Sequence, residues 1–209
     1  MDGPLAAYAA AFTLGAAHAL EVDHMVAVTA FVGGETRLGS AATFGLKWGL
    51  GHSLAVLVVG GLLAWSGLTI PPSFERYAEI AVGLALIAVG FWAWRNARRL
   101  HVSRDARGHH HHAHLSTMVG ALHGLAGTAP VVALIPVTLM PSMSAAITYL
   151  VLFGLGTTAG MGAYAGLAAV AVSRAASFER LARAVAFGTA AASAAVGTWW
   201  LIRSGMGTG

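Results

Sequence analysis

Apolar runs long enough to cross a bilayer recur along the chain, at roughly residues 4–33, 44–67, 77–95, 115–140, 144–173 and 182–202. A spanning helix needs about 20 apolar residues, and lipid leaves no partner for an unpaired backbone group, so helices are the structure such runs dictate. Gly33-Gly34, Pro71-Pro72 and Pro141 punctuate the pattern. It predicts an all-α, polytopic membrane protein of about six transmembrane helices. Only 10% of the residues are charged, against about 25% in soluble domains, so lipid is the main solvent. Trp48, Trp65, Trp92, Trp94, Trp199 and Trp200 fall near the ends of the runs, where indole rings favour the membrane interface.

Met1-Asp2-Gly3-Pro4 provides no basic leader, and His18, Glu21, Asp23 and His24 interrupt the following apolar stretch. No signal peptide is expected. The absence of cysteine removes disulfides and thiolate ligands, so any metal must be held by nitrogen and oxygen. A net charge of +4 could suggest a nucleic-acid partner, but the basic residues flank apolar segments and topology explains them better. Arg37, Lys47, Arg95, Arg98, Arg99, Arg104, Arg107, Arg174, Arg180 and Arg183 lie in or beside the loops after the first, third and fifth runs, against Arg76 and Arg203 on the other side. The positive-inside rule places those three loops in the cytoplasm and both termini outside.

The chain also repeats itself. Gly15-Ala16-Ala17-His18-Ala19-Leu20 returns as Gly120-Ala121-Leu122-His123-Gly124-Leu125, Gly49-Leu50-Gly51-His52 as Gly154-Leu155-Gly156-Thr157, and Phe74-Glu75-Arg76 as Phe178-Glu179-Arg180, at offsets of 104 or 105 residues. Three helices per half is an odd number, so the second copy must be upside down relative to the first. Such inverted repeats place a substrate site near the midplane between the halves. The expected organisation is a first three-helix repeat over 1–95, a histidine-rich cytoplasmic loop over 96–114 and a second repeat over 115–209. Gly45/Gly49, Gly120/Gly124, Gly156/Gly160 and Gly162/Gly166 have the spacing of close helix packing. Gly124, Gly127 and Pro130 are positioned to break the fourth helix.

His18, Glu21, Asp23 and His24 lie within seven residues of an otherwise apolar run. Each charged group at the bilayer centre costs about 2.5–3.5 kcal/mol, so such residues are normally buried, partnered and functional. On an unbroken helix His18, Glu21 and His24 share one stripe, and Asp23 joins them only if the helix unwinds. His52 adds an imidazole from the second helix. In the second half His123 matches His18, while Thr128 and Thr157 stand where Asp23 and His52 stand in the first. Candidate metal ligands are therefore His18, Glu21, Asp23, His24, His52 and His123.

The pattern His18-x4-Asp23-His24, together with Gly51-His52-Ser53, resembles the membrane-helix signatures of the nickel/cobalt transporter family. His123-Gly124-Leu125-Ala126-Gly127-Thr128-Ala129-Pro130 resembles the opening of the second half in the short, urease-associated nickel permeases. This resemblance implies a bacterial plasma-membrane permease that moves Ni2+ or Co2+ as substrate through His18, Asp23, His24 and His52. No resident cofactor is expected, and Glu21 serves as ligand or proton acceptor. The acidic second-half motif of longer family members is absent. Two other readings stand beside transport: an intramembrane zinc hydrolase using Ser53 beside His52, and a metal sensor or assembly factor. His101, His109, His110, His111, His112 and His114 form a loop suited to weak metal capture.

The charge count yields a direct test. Cysteines introduced as Arg104→Cys and Ser177→Cys should be shielded from an impermeant thiol reagent in intact cells, whereas Thr208→Cys should be labelled; the reverse pattern would overturn the orientation.

Overall fold

The computed structural model describes residues 3–32, 38–67, 72–99, 112–125, 137, 140–175 and 179–205. These form helices α1 (Gly3–His18), α2 (Val22–Val32), α3 (Leu38–Ser66), α4 (Pro72–Arg99), α5 (His112–Leu125), α6 (Met143–Ala175) and α7 (Glu179–Gly205), with no strand among the described residues. The single first helix expected over 4–33 is instead two, α1 and α2, bent by 56°. At the break Leu20 N–H donates to the Ala17 carbonyl and Glu21 N–H to that of His18, tightening the last turn of α1. Met25 N–H donates to the Glu21 carbonyl, which opens α2.

α3, α6 (Met143–Arg174) and α7 (Arg183–Gly205) are each long and apolar enough to cross a membrane, and the bent α1–α2 pair makes a fourth span if taken as one. α4 and the 14-residue α5 do not meet that criterion alone. α5 begins at His112, inside the tract expected as loop, and the break expected at Gly127 and Pro130 lies outside the described residues, as do His101 and His109 to His111.

α3 packs against α5 and α6. Leu46, Leu50, Leu54, Val58 and Leu62 form an i, i+4 stripe on it, each between 45% and 57% exposed, and this greasy stripe faces outward as lipid contact requires. Its opposite face carries Gly45, Trp48, Gly49, Gly51, His52 and Val56, all buried. Trp48 is fully buried and Trp200 nearly so, whereas Trp65 and Trp199 are more than half exposed. The first two are therefore packing residues and not interfacial anchors: Trp48 meets Phe31 and Phe44 across the seam.

Lipid tails are as apolar as leucine, so helices gain little hydrophobic drive from meeting each other, and close backbone approach must hold them. Glycine supplies it. A Cβ on Gly15 would strike the Phe153 carbonyl, one on Gly51 the Thr117 carbonyl, one on Gly120 the Trp48 carbonyl and one on Gly156 the Phe12 carbonyl. The expected packing role of the paired glycines is met at Gly45, Gly49, Gly124, Gly160 and Gly162 as well. These contacts are reciprocal. Adding 105 to Gly15 and Trp48 gives Gly120 and Phe153, and adding 105 to Phe12 and Gly51 gives Thr117 and Gly156. Gly49 opposes Thr158 while Gly45 opposes Met161, so α3 and α6 run antiparallel. Gly83 opposes Gly197 and Gly90 opposes Ala190, so α4 and α7 do too.

Two apolar clusters lie on opposite sides of His52 along this seam. One includes Val28, Val32, Ala41, Trp48, Met161 and Ala165; the other includes Ala11, Val56, Tyr149, Leu150 and Phe153. On α3 the first precedes His52 and the second follows it, and on α6 the order is reversed, as antiparallel pairing demands.

The packing gives a prediction for stability in detergent. Gly51→Ala and Gly156→Ala should each lose about 1–3 kcal/mol through overpacking against backbone. Gly61→Ala and Gly188→Ala, where an added Cβ meets nothing within 4 Å, should be neutral or slightly stabilising. Thermal unfolding followed by the monodisperse fraction on size exclusion checks the contrast.

Candidate metal centre

The helix break builds the centre. The first amides of a helix lack intrahelical acceptors and carry a partial positive charge, so an acid in the first turn of α2 is favourable there. Asp23 Oδ1 accepts from the His24 backbone N–H at 2.9 Å. The same oxygen lies 3.0 Å from His24 Nδ1, and Oδ2 lies 3.0 Å from His123 Nε2. An unbroken helix would turn Asp23 away from the histidines; the 56° bend brings it among them.

An ionised carboxylate only accepts, so the ring nitrogens that face Asp23 carry hydrogens. That assigns His24 the Nδ1–H tautomer and leaves its Nε2 with a lone pair, and this buried atom has no hydrogen-bond partner. Glu21 acts on His18 in the same way, its Oε1 accepting from Nδ1 at 2.8 Å. His18 Nε2 is thus free to face His52 Nε2 at 3.3 Å. A carboxylate behind each imidazole, fixing tautomer and ring orientation, is the usual support of a metal-binding histidine.

Two donor groups result. His18, His24 and His52 offer ligand atoms within 4.8 Å of one another, as do Asp23, His24 and His123. His24 belongs to both. Its ring centroid lies 4.7 Å from that of His18, 5.1 Å from His52 and 4.5 Å from His123. All five residues are buried. Glu21 is the expected ligand that falls in neither group; its carboxylate touches the centre through His18 and its side chain is about one-third exposed. Thr157, which replaces His52 in the second half, is buried and donates to the Phe153 carbonyl at 3.0 Å. Thr128 lies outside the described residues. The Ser53 hydroxyl donates to the Gly154 carbonyl at 2.8 Å and lies 3.1 Å from Thr158 Oγ1, so it ties α3 to α6.

Sequence reasoning missed two aromatic neighbours of the centre. Phe153 lies 5.5 Å from His18, ring to ring, and Trp48 lies 6.0 Å from His123. Both are fully buried. The 105-residue offset that relates His18 to His123 also relates Trp48 to Phe153, and that register could have drawn attention to them.

Tightly clustered imidazoles with a carboxylate, and no thiolate, suit a borderline divalent transition metal. No protein-family profile and no solved structure matches the chain. Among curated proteins, the urease accessory protein UreH of Bacillus sp. (strain TB-90) is 30% identical over 161 residues, an alignment that covers 72% of this chain and 70% of that protein. With this identity and coverage, the chain belongs to the family of the urease accessory protein UreH.

Proposed function

We propose that the chain carries a divalent transition-metal ion, Ni2+ or Co2+, across a bacterial plasma membrane, with His18, Asp23, His24, His52 and His123 as the residues that hold it in transit. The observation that carries this reading is the pair of buried three-donor groups fused at His24, placed at a break between two membrane helices. Burying four imidazoles and an acid in lipid is costly unless they act on something. The likeness to a urease accessory protein favours nickel between the two metals.

The two halves, 1–95 and 115–209, are read as inverted repeats. Antiparallel pairing of α3 with α6 and of α4 with α7, and glycine contacts that reciprocate at an offset of 105, support that arrangement. It implies six membrane crossings. Access then alternates by movement of one half against the other around the fixed centre. The arriving ion exchanges its water for the ring nitrogens of His18, His24 and His52; Glu21 holds His18, and Asp23 holds His24, in a fixed tautomer. Only neutral imidazole binds metal, so the ion competes with protons. Ser53, the group a hydrolase would need as nucleophile or orienter beside His52, is bonded to Gly154 and Thr158, which favours transport over hydrolysis.

In proteoliposomes, His18→Ala, His24→Ala, His52→Ala and Asp23→Ala should each reduce nickel uptake to background while the protein remains folded. Near wild-type flux in two or more of them would sink the assignment. Glu21→Gln should be milder, raising the half-saturating metal concentration about 10- to 100-fold, as loss of an outer-shell carboxylate does. Uptake by the wild type at a fixed, subsaturating metal concentration should fall on acidification, because protons compete with the metal for the imidazole nitrogens; flux that rises on acidification would contradict the proton competition.

A further inference from the structure

Among the described residues, a fully buried aromatic ring lies on either side of the histidine layer. Trp48 stands one helical turn before His52 on α3, and Phe153 stands one turn before Thr157 on α6. Because Gly49 opposes Thr158 and Ser53 opposes Gly154, Phe153 is level with about residue 54 of α3. Trp48 and Phe153 are therefore separated along the seam by about six residues, or about 9 Å at 1.5 Å per residue, and His52 lies between their levels. Trp48 leans on His123 and Phe153 on His18, each ring covering a different one of the two donor groups.

Behind each ring sits a polar atom that the present packing does not serve. Trp48 Nε1–H is buried without a hydrogen-bond partner, and so is the hydroxyl of Tyr149, one turn beyond Phe153 in the apolar cluster on that side. Tyr149 is the 105-residue counterpart of Phe44, which packs on Trp48. Buried donors are nearly always satisfied in a resting structure. On the two flanks of the centre, the unmet Trp48 N–H and the unmet Tyr149 O–H mark places where water would be welcomed if the packing parted. Within the centre, His24 Nε2 and His52 Nδ1 are likewise buried without a hydrogen-bond partner.

From this arrangement we infer that Trp48 and Phe153 are the two gates of the permeation path, with Phe153 backed by Tyr149, and that the structure is the occluded state in which both are shut. The inference rests on the transport reading for its meaning, but the closure itself can be tested without transport. Opening one side swings Phe153 off His18 and hydrates the Tyr149 hydroxyl. Opening the other swings Trp48 off His123 and hydrates its own Nε1–H.

The absence of native cysteine makes Thr157→Cys, a small change at a fully buried position between the gates, a clean reporter. It is labelled with an impermeant methanethiosulfonate applied to right-side-out or inside-out vesicles. With both gates intact, labelling should be slow from either side. Phe153→Ala should speed it at least 10-fold from the side of Ser142, where α6 begins, and Trp48→Ala at least 10-fold from the opposite side. Phe153→Leu and Trp48→Leu, which keep apolar bulk and guard against misfolding of the alanine variants, should each give a smaller increase on the same single side. Unchanged rates, or acceleration by either leucine variant from both sides alike, would overturn the gates. Because the readout is labelling, a wild type that fails to move nickel would leave this result standing and would instead remove the transport reading. Tyr149→Phe, which deletes the unmet hydroxyl and retains the ring, should slow labelling further on its own side; faster labelling would contradict the hydration argument.

Discussion

The Asp23 carboxylate, shared between the His24 ring, the His24 amide and the His123 ring, is the interaction on which the rest depends. A continuous helix from α1 into α2 would satisfy more backbone bonds, and in lipid that advantage is large. The break persists because the acid serves the freed amide end of α2 and two imidazoles at once. It joins the first half of the chain to α5 across the centre. A carboxylate without these donors would have no tolerable state at that depth.

Around this polar layer the bundle is assembled by absence of side chain. Carbonyls of Trp48, Thr117, Phe12 and Phe153 sit where a β-carbon would otherwise lie on Gly120, Gly51, Gly156 and Gly15, so α3 and α6 each touch two neighbours with almost no intervening bulk. Packing of this kind tolerates little lateral adjustment. It suits a seam whose parts slide or rock as units, and the leucines of α3 are left for the lipid.

Much of this was legible in the sequence, because its signals are local. Apolar length announced the helices, glycine spacing announced the tight crossings, and ionisable residues in a greasy run announced the centre. His18, Asp23, His24, His52 and His123 do come together. The break at 19–21 was not legible: Leu20 and Val22 are ordinary helix residues, and the interruption is decided by what Asp23 finds across the bundle on α5. The burial of Trp48 escaped for a similar reason. Position in a run suggested an interface, but the ring's place is set by Phe31 on α2, His123 on α5 and Phe44 from an earlier turn of α3. Glu21 shares the stripe of His18 and His24 by helical spacing, and its carboxylate meets the Nδ1 of His18.

The outward stripe of α3 has an electrical consequence. From Leu46 to Leu62 it covers about 24 Å of helix, close to the thickness of a hydrocarbon core, and His52 sits about 3 Å from its middle residue, Leu54. A doubly charged ion resting at that level has crossed about half of the membrane field. At about 2.3 kcal/mol per unit charge per 100 mV for a full crossing, each half-journey of a divalent cation is biased by about 2.3 kcal/mol per 100 mV. For the ion passage proposed above, a membrane potential then acts with similar weight on arrival at the centre and on departure from it.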